Sequence, residues 1–317
     1  RNWNRGITFD SNFSGETKAF EQFVNTHEGT RDRVNCLQLR GEYMFVAEGS
    51  GGFRVYDVAS IANKGLSERI LSAPFSPLGH DTHIPTSNAT CMALATNQPI
   101  APHRNTPEMR EMNQEQPFLP IYSYAVVTDS EEGLILVDVD TLADGEFRNN
   151  KLERAEFGNG STSWNPNGVL DGARHVQLAG EIAYITAEAG LVVIDLSNPI
   201  TPQLMAVRTL TDARASAIQF RYLWVTDSEG LKLFDVTDLR NPVAIPSATV
   251  PLDNARKIYV ARTYAYVAGK EEGLVIVNVT NPLEPFIYAK ETLGGTLNDV
   301  EDVIVASTNA PLFAYIA

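Results

Sequence analysis

Apolar and polar positions along this chain recur in one pattern. A glycine opens a short apolar run, an Asp or Asn ends it, and turn residues follow. The runs are "GGFRVYDV" ending at Val58, "GLILVDV" at Val139, "GLVVIDL" at Leu196, "GLKLFDV" at Val236 and "GLVIVNV" at Val279. Asn-Pro follows three of them, at Asn198-Pro199, Asn241-Pro242 and Asn281-Pro282. A second short strand precedes each glycine: "YMFVAE", "YAVVTD", "AYITAE", "LWVTDS" and "AYVAGK". In the tightest units Asp195, Asp235 and Asn278 lie 40 and 43 residues apart.

Each unit is rich in Val, Ile and aromatics and is bounded by turn residues, so it reads as a set of short strands. The glycine suits a positive φ after an acidic turn such as "DSEG". The closing Asp or Asn can bond its own backbone to start the next turn, and the proline stops the ladder. No helical periodicity competes between the units. A period near 40 with four strands per unit predicts an all-β chain, a β-propeller of four-stranded antiparallel blades.

"GLVVID" and "GLVIVN", with their trailing Asn-Pro, resemble the repeats of the bacterial LVIVD-repeat β-propellers, and the resemblance extends over residues 33–317. It implies a secreted protein, extracellular, periplasmic or at the cell surface. It implies little about chemistry.

The blades are expected at about 33–73, 88–157, 172–210, 213–250 and 255–293, within a single domain over 1–317. "DVEDVIVAST" and "LFAYIA" in 298–317 then supply two strands of a last blade, and the N-terminal segment 4–25, with "RGITFD", supplies the other two. That closes six blades and removes an exposed edge. The alternatives are seven blades, or truncation with further residues finishing the ring. The chain opens on Arg1 without a charged-then-apolar leader, so its numbering is expected to start inside a precursor or after processing.

Charge changes the picture of partners. Asp plus Glu is 39 against 25 Lys plus Arg, a net charge of −14, which repels phosphate backbones and anionic lipid. Nucleic acid and membrane insertion are therefore not expected, and other proteins are. The two cysteines, Cys36 and Cys91, occupy equivalent positions on neighbouring blades. Equivalent side chains point the same way round a ring, so two buried thiols are expected rather than a disulfide.

Candidate chemistry lies where inner strands begin and where loops interrupt the repeat. Aligning blades on the aromatic of the second strand brings Asn35, Arg174, Arg214 and Arg256 to one position, with Thr90 and Glu301 beside them. Three arginines on consecutive blades suit a carboxylate or phosphate at the mouth of an axial funnel. The alternative is that each pairs with an acid of the turn between the second and third strands: Glu48, Asp129, Glu188 or Asp227. One position later come Cys36, Cys91, His175, Ala215, Lys257 and Asp302.

His80 and His83 form an HxxH on a Pro-rich loop, with His175 a third metal ligand to consider. Trp164 on one loop, and Met109 and Met112 in the insertion 96–118, are candidate partner contacts. A calcium loop starting at Asp140 fails as an EF-hand, since Leu142 and Lys151 stand where oxygen ligands belong. No cofactor is expected, and an irregular calcium site stays open beside the His80–His83 pair.

There is no GxSxG, HExxH, P-loop or GxGxxG in a strand–helix context. The leading expectation is a non-enzymatic scaffold or recognition module. The alternatives are an enzyme or small-anion binder in the axial funnel, with His175 as acid or base, and a protein companion of an extracellular redox complex.

Overall fold

The computed structural model describes residues 33–58, 81–104, 106–112, 118–145, 150–307 and 312–317. Among the described residues six antiparallel sheets account for the strands, and in each the strands follow chain order. Labelling strands a to d, blade one has Cys36–Arg40, Tyr43–Ala47, Phe53–Asp57 and His83–Ile84. Blade two has Ala89–Leu94, Tyr124–Asp129, Gly133–Asp138 and Glu153–Arg154; blade three has His175–Ala179, Ile182–Ala187, Gly190–Asp195 and Gln203–Arg208. Blade four has Ala215–Gln219, Tyr222–Asp227 and Gly230–Asp235, with its fourth strand in two pieces, Val243–Ala244 and Val250–Pro251. Blade five has Ile258–Ala261, Tyr264–Ala268, Leu274–Asn278 and Phe286–Glu291, and the sixth sheet pairs Val303–Ser307 with Leu312–Ile316. The N-terminal segment 4–25 expected to complete this sheet lies outside the described residues.

The glycine-led runs are strand c in every complete blade. Blade one differs from its expected extent. Its strand d lies at His83–Ile84, inside the stretch read as a connecting loop, because two residues suffice to pair with Phe53 and Arg54. Such a short strand carries no period-2 signal.

Chain contacts divide the protein into two compact units, 1–165 with 196–202 and 166–195 with 203–317. In the first, Phe45, Val55, Met92 and Ile135 pack between blades one and two. In the second, Tyr184, Val193, Leu223 and Phe234 pack between blades three and four, while Trp224, Leu233, Val267 and Val277 pack between four and five. Leu223 and Trp224 are sequence neighbours that face opposite blades. A strand covered on both sides needs no polar face, so the runs read as continuously apolar.

The acids that end strand c act as turn formers. Asp138 Oδ1 accepts the Asp140 N–H at 2.9 Å, Asp235 Oδ1 that of Thr237 at 2.8 Å, and Asn278 Oδ1 that of Thr280 at 2.9 Å. Asp195 also takes Arg240 of blade four, with Nη2 2.7 Å from its Oδ2. No helix among the described residues is long and apolar enough to cross a membrane.

Candidate functional site

The residues aligned from the sequence sit just before or at the start of strand a. There the backbone repeats: the N–H groups of Asn35, Arg174, Arg214 and Arg256 donate to Ala47, Thr186, Thr226 and Ala268. Strand b carries a threonine at this level in blades three and four. Thr186 Oγ1 donates across to the Arg214 carbonyl at 2.9 Å, and Thr226 Oγ1 to the Arg256 carbonyl. Neighbouring inner strands are thereby stitched together.

In the second unit the arginine ends continue this stitching. Arg174 Nη1 donates to Asp212 Oδ1 on the connector into blade four. Arg214 donates to Asp212 Oδ2 from Nε at 3.0 Å and from Nη2 at 2.7 Å, and its Nη1 reaches Asn254 Oδ1 at 2.7 Å and the Ala255 carbonyl at 2.8 Å. Asp212 and Asn254 each stand two residues before the arginine of their own blade. Asp299 holds the matching place before Glu301, and Lys270 of blade five bridges both carboxylates. Arg256 is held more loosely, with Nε 3.9 Å from Glu301 Oε2 and no hydrogen-bond partner of its own. In the first unit Asn35 follows the same rule, donating from Nδ2 to the Ala89 carbonyl at 3.0 Å.

Arg174 and Arg214 are thus paired through connectors preceding strand a. The b–c turn acids do other work: Asp129 and Asp227 accept backbone N–H groups of their own turns, and Glu48 holds Arg54 at 2.8 Å. The sequence does contain the relevant signal, in "TDAR" (211–214) and "DNAR" (253–256), as a polar residue two before Arg214 and Arg256.

Electrostatics follow from the geometry. Burial alone would raise the Asp212 carboxyl, but the Arg174 and Arg214 guanidiniums outweigh it and hold the group below its ordinary value. That interaction contributes above pH about 4 and fades as pH falls through the depressed value. Since Asp212 and Arg174 are each more than a third exposed, solvent reduces the pair's worth. Asp212→Asn should therefore cost about 1 kcal/mol at pH 7. In urea titrations the gap from the parent should narrow as pH falls below about 4 and through the depressed value; a gap independent of pH would assign the loss to something other than charge.

His175 opens strand a of blade three, and its Nδ1 accepts the Ser216 N–H of blade four at 3.3 Å. Burial first, then the Lys257 cation, push its imidazole well below the ordinary value. A neutral buried histidine stabilises the fold above the unfolded value of about 6.5, and that contribution is lost progressively below it. The parent should lose stability between about pH 6.5 and 5 more steeply than His175→Gln. Superimposable pH profiles would sink the assignment.

The remaining candidates do not converge. His83 lies in strand d of blade one, with Nε2 2.9 Å from the Gly51 carbonyl, while His80 lies outside the described residues. Trp164 exchanges backbone bonds with Leu134 at 2.8 and 3.1 Å, pairing alongside strand c of blade two on the side of strand d. Met109 and Met112 lie on a six-residue helix, Pro107–Met112, with Met112 well exposed. Asp140 begins a 3-10 turn ending at Ala143. Among the described residues no group of three or more His, Cys, Asp or Glu is arranged to hold a metal.

One expectation is overturned. Cys36 and Cys91 form a disulfide, with Cα atoms 4.8 Å apart. The register of blade two shifts between Ala89 and Cys91, so the inner strand is bulged at the point where a shared facing had been assumed.

Sheets of this order define the class: an all-β chain of the β-propeller type with four-stranded antiparallel blades. More particularly, the chain carries LVIVD repeats. The LVIVD repeat model matches residues 172–208 and 253–289, which are blades three and five.

No curated protein sequence matches the chain. Its structure is similar to that of the computationally designed Ika8 protein, at 9% identity and a TM-score of 0.50, covering 86% of this chain and 65% of that one. It is also similar to the β-propeller domain of Myceliophteria thermophila Cps50 (Swd1), at 12% identity and a TM-score of 0.48, covering 89% and 82%. PorZ, a surface component of the type-IX secretion system of Porphyromonas gingivalis, matches at 11% identity and a TM-score of 0.48, over 90% of this chain and 31% of PorZ. The chain thus spans less than two thirds of the designed protein and about a third of PorZ. At these identities the likeness concerns the fold alone.

Proposed function

We propose that this propeller is a non-enzymatic scaffold or recognition module of an extracytoplasmic assembly. The observation that carries the reading is the use made of Arg174 and Arg214. The cations best placed to grip an anionic substrate are committed through Asp212, Asn254 and the Ala255 carbonyl to joining blades. The apolar surface supports the same reading. Strand d of blade five is the outer strand of its sheet and turns Phe286, Ile287 and Tyr288 to solvent, with Leu283 and Leu293 exposed nearby. Large exposed side chains on an outer strand favour a protein partner. The Cys36–Cys91 disulfide supports an oxidising compartment.

A photo-crosslinker placed at Tyr288 and, separately, at Met112 tests this in cells that make the protein. One discrete adduct at either position, absent with the crosslinker at exposed Glu188 in the b–c turn of blade three, is the expected result. Identical patterns at all three sites would count against recognition.

A second reading, a small-anion binder, is favoured by Arg256, whose Nε has only the 3.9 Å approach of Glu301. Phosphate titration followed by amide shifts around 255–258 separates the two: saturable shifts there would favour the anion site.

A further inference from the structure

The fourth glycine-led run breaks the repeat it belongs to. The third residue is Val192 in "GLVVID" and Val275 in "GLVIVN", but Lys232 in "GLKLFD". The outer strand breaks at the same level. Blade three keeps six residues in strand d, Gln203–Arg208, whereas blade four has Val243–Ala244 and Val250–Pro251 with a 3-10 turn, Pro246–Ala248, between them. Pro246 has no N–H to give the ladder, so strand pairing stops there. The gap is a cavity of about 260 Å³ within the second unit.

Its lining is mixed in a specific way. Leu210, Ile245 and Pro246 supply apolar walls; Asp227, Glu229 and Lys232 supply charge. Lys232 Nζ lies 2.6 Å from Glu229 Oε2 and 3.9 Å from Asp227 Oδ2. Asp227 is 1% exposed, and its other oxygen accepts the Glu229 and Gly230 N–H groups at 2.8 and 3.0 Å. Burial pushes its carboxyl up. Blade one places Arg54 at the corresponding position, but there the pair with Glu48 is fully enclosed. Burying such a pair costs desolvation energy that an apolar residue would avoid. Departures from local rules of this kind concentrate at functional sites.

The charges narrow the ligand. Two carboxylates repel an anion, and Lys232 repels a cation, which leaves a neutral guest. An ammonium that donates, carboxylates that accept, and a threonine hydroxyl at Thr249 that does both match a guest rich in hydroxyls. The apolar walls match C–H faces. The volume falls just below the usual range for drug-sized ligands, which limits the guest to about one ring. We propose that the blade-four cavity binds a single neutral pyranose ring, between the Lys232–acid cluster and the Leu210–Ile245–Pro246 wall. This goes beyond the scaffold reading and stands or falls separately from it.

Saturation-transfer NMR on the full chain tests it, using glucose, galactose and mannose, each free and as the methyl glycoside. Transfer from at least one sugar at millimolar concentration is expected. Lys232→Met, which keeps the stem and removes the ammonium, should weaken that sugar about tenfold. Ala244→Trp, at an exposed wall position, should abolish its signal while the urea midpoint stays within error. Equal binding of the methyl glycoside assigns the terminal residue of a longer glycan, and its loss assigns the free sugar. Absence of transfer from all three sugars, or transfer undiminished in Ala244→Trp, overturns the proposal.

Discussion

Gly230→Ala should cost about 3 kcal/mol or more, a large part of the stability of an ordinary domain. Two effects add. Gly230 has φ +133°, a region an alanine enters only with strain of roughly 1–2 kcal/mol. A Cβ there would also stand 2.2 Å from the Val250 carbonyl oxygen and 2.6 Å from the Leu252 nitrogen. Both are backbone atoms of the segment paired to strand c, so neither can swing away. Relief requires the outer strand to move off, at a cost of about 1–3 kcal/mol as in other overpacked sites. Gly190 meets the same approach from the Arg208 carbonyl of blade three.

Gly180→Ala is the control, since φ there is +60° but nothing lies within 4 Å of the added atom. It should cost only the conformational part, about 1 kcal/mol. Urea midpoints at unchanged m-value compare the two. Equal losses would mean that the recurring glycine serves φ alone, and that the close passage of the outer strand contributes nothing.

That pair of variants marks the boundary of what the sequence displays. The glycine-led run, the apolar strand on each side of its turn and the Asx turn at Asp235 are local, so they are legible from spacing alone. The reason for the glycine is the Val250 carbonyl twenty residues away, and no local pattern announces it. Blade one shows the same limit, because strand d at His83–Ile84 is two residues long and is defined only by its partners Phe53 and Arg54. The inner-strand site was half legible. Aligning blades found Arg174, Arg214 and Arg256, since equivalent positions repeat their surroundings. The acids expected to pair with them were those of the b–c turns, whereas Arg174 reaches Asp212 on the connector into the next blade. In a repeat protein the relevant neighbour is one period on, and "TDAR" and "DNAR" carry that information once the comparison is made between units.

Removing the disulfide should weaken the first unit by about 4 kcal/mol, on a chain-entropy argument for a 55-residue separation. Cys36 and Cys91 both lie on inner strands, and neighbouring bonds hold the two backbones together at this level. Asn35 Nδ2 donates to the Ala89 carbonyl at 3.0 Å, and Gly49 and Ala89 exchange backbone bonds at 2.9 and 3.0 Å. These ties hold the strands close in the reduced protein, so loss of the bond acts mainly by releasing the unfolded chain. Cys36→Ser with Cys91→Ser should therefore keep the native circular dichroism spectrum while its urea midpoint drops. The parent in a thiol reductant should match the double variant. The second unit contains no cysteine, so hydrogen exchange around Trp224 should be slower to respond than around Phe45. The compartment follows from the same measurement: protein drawn from its native location without reductant should resist alkylation at both cysteines. Two freely alkylated thiols in that sample would remove the support for an extracytoplasmic site.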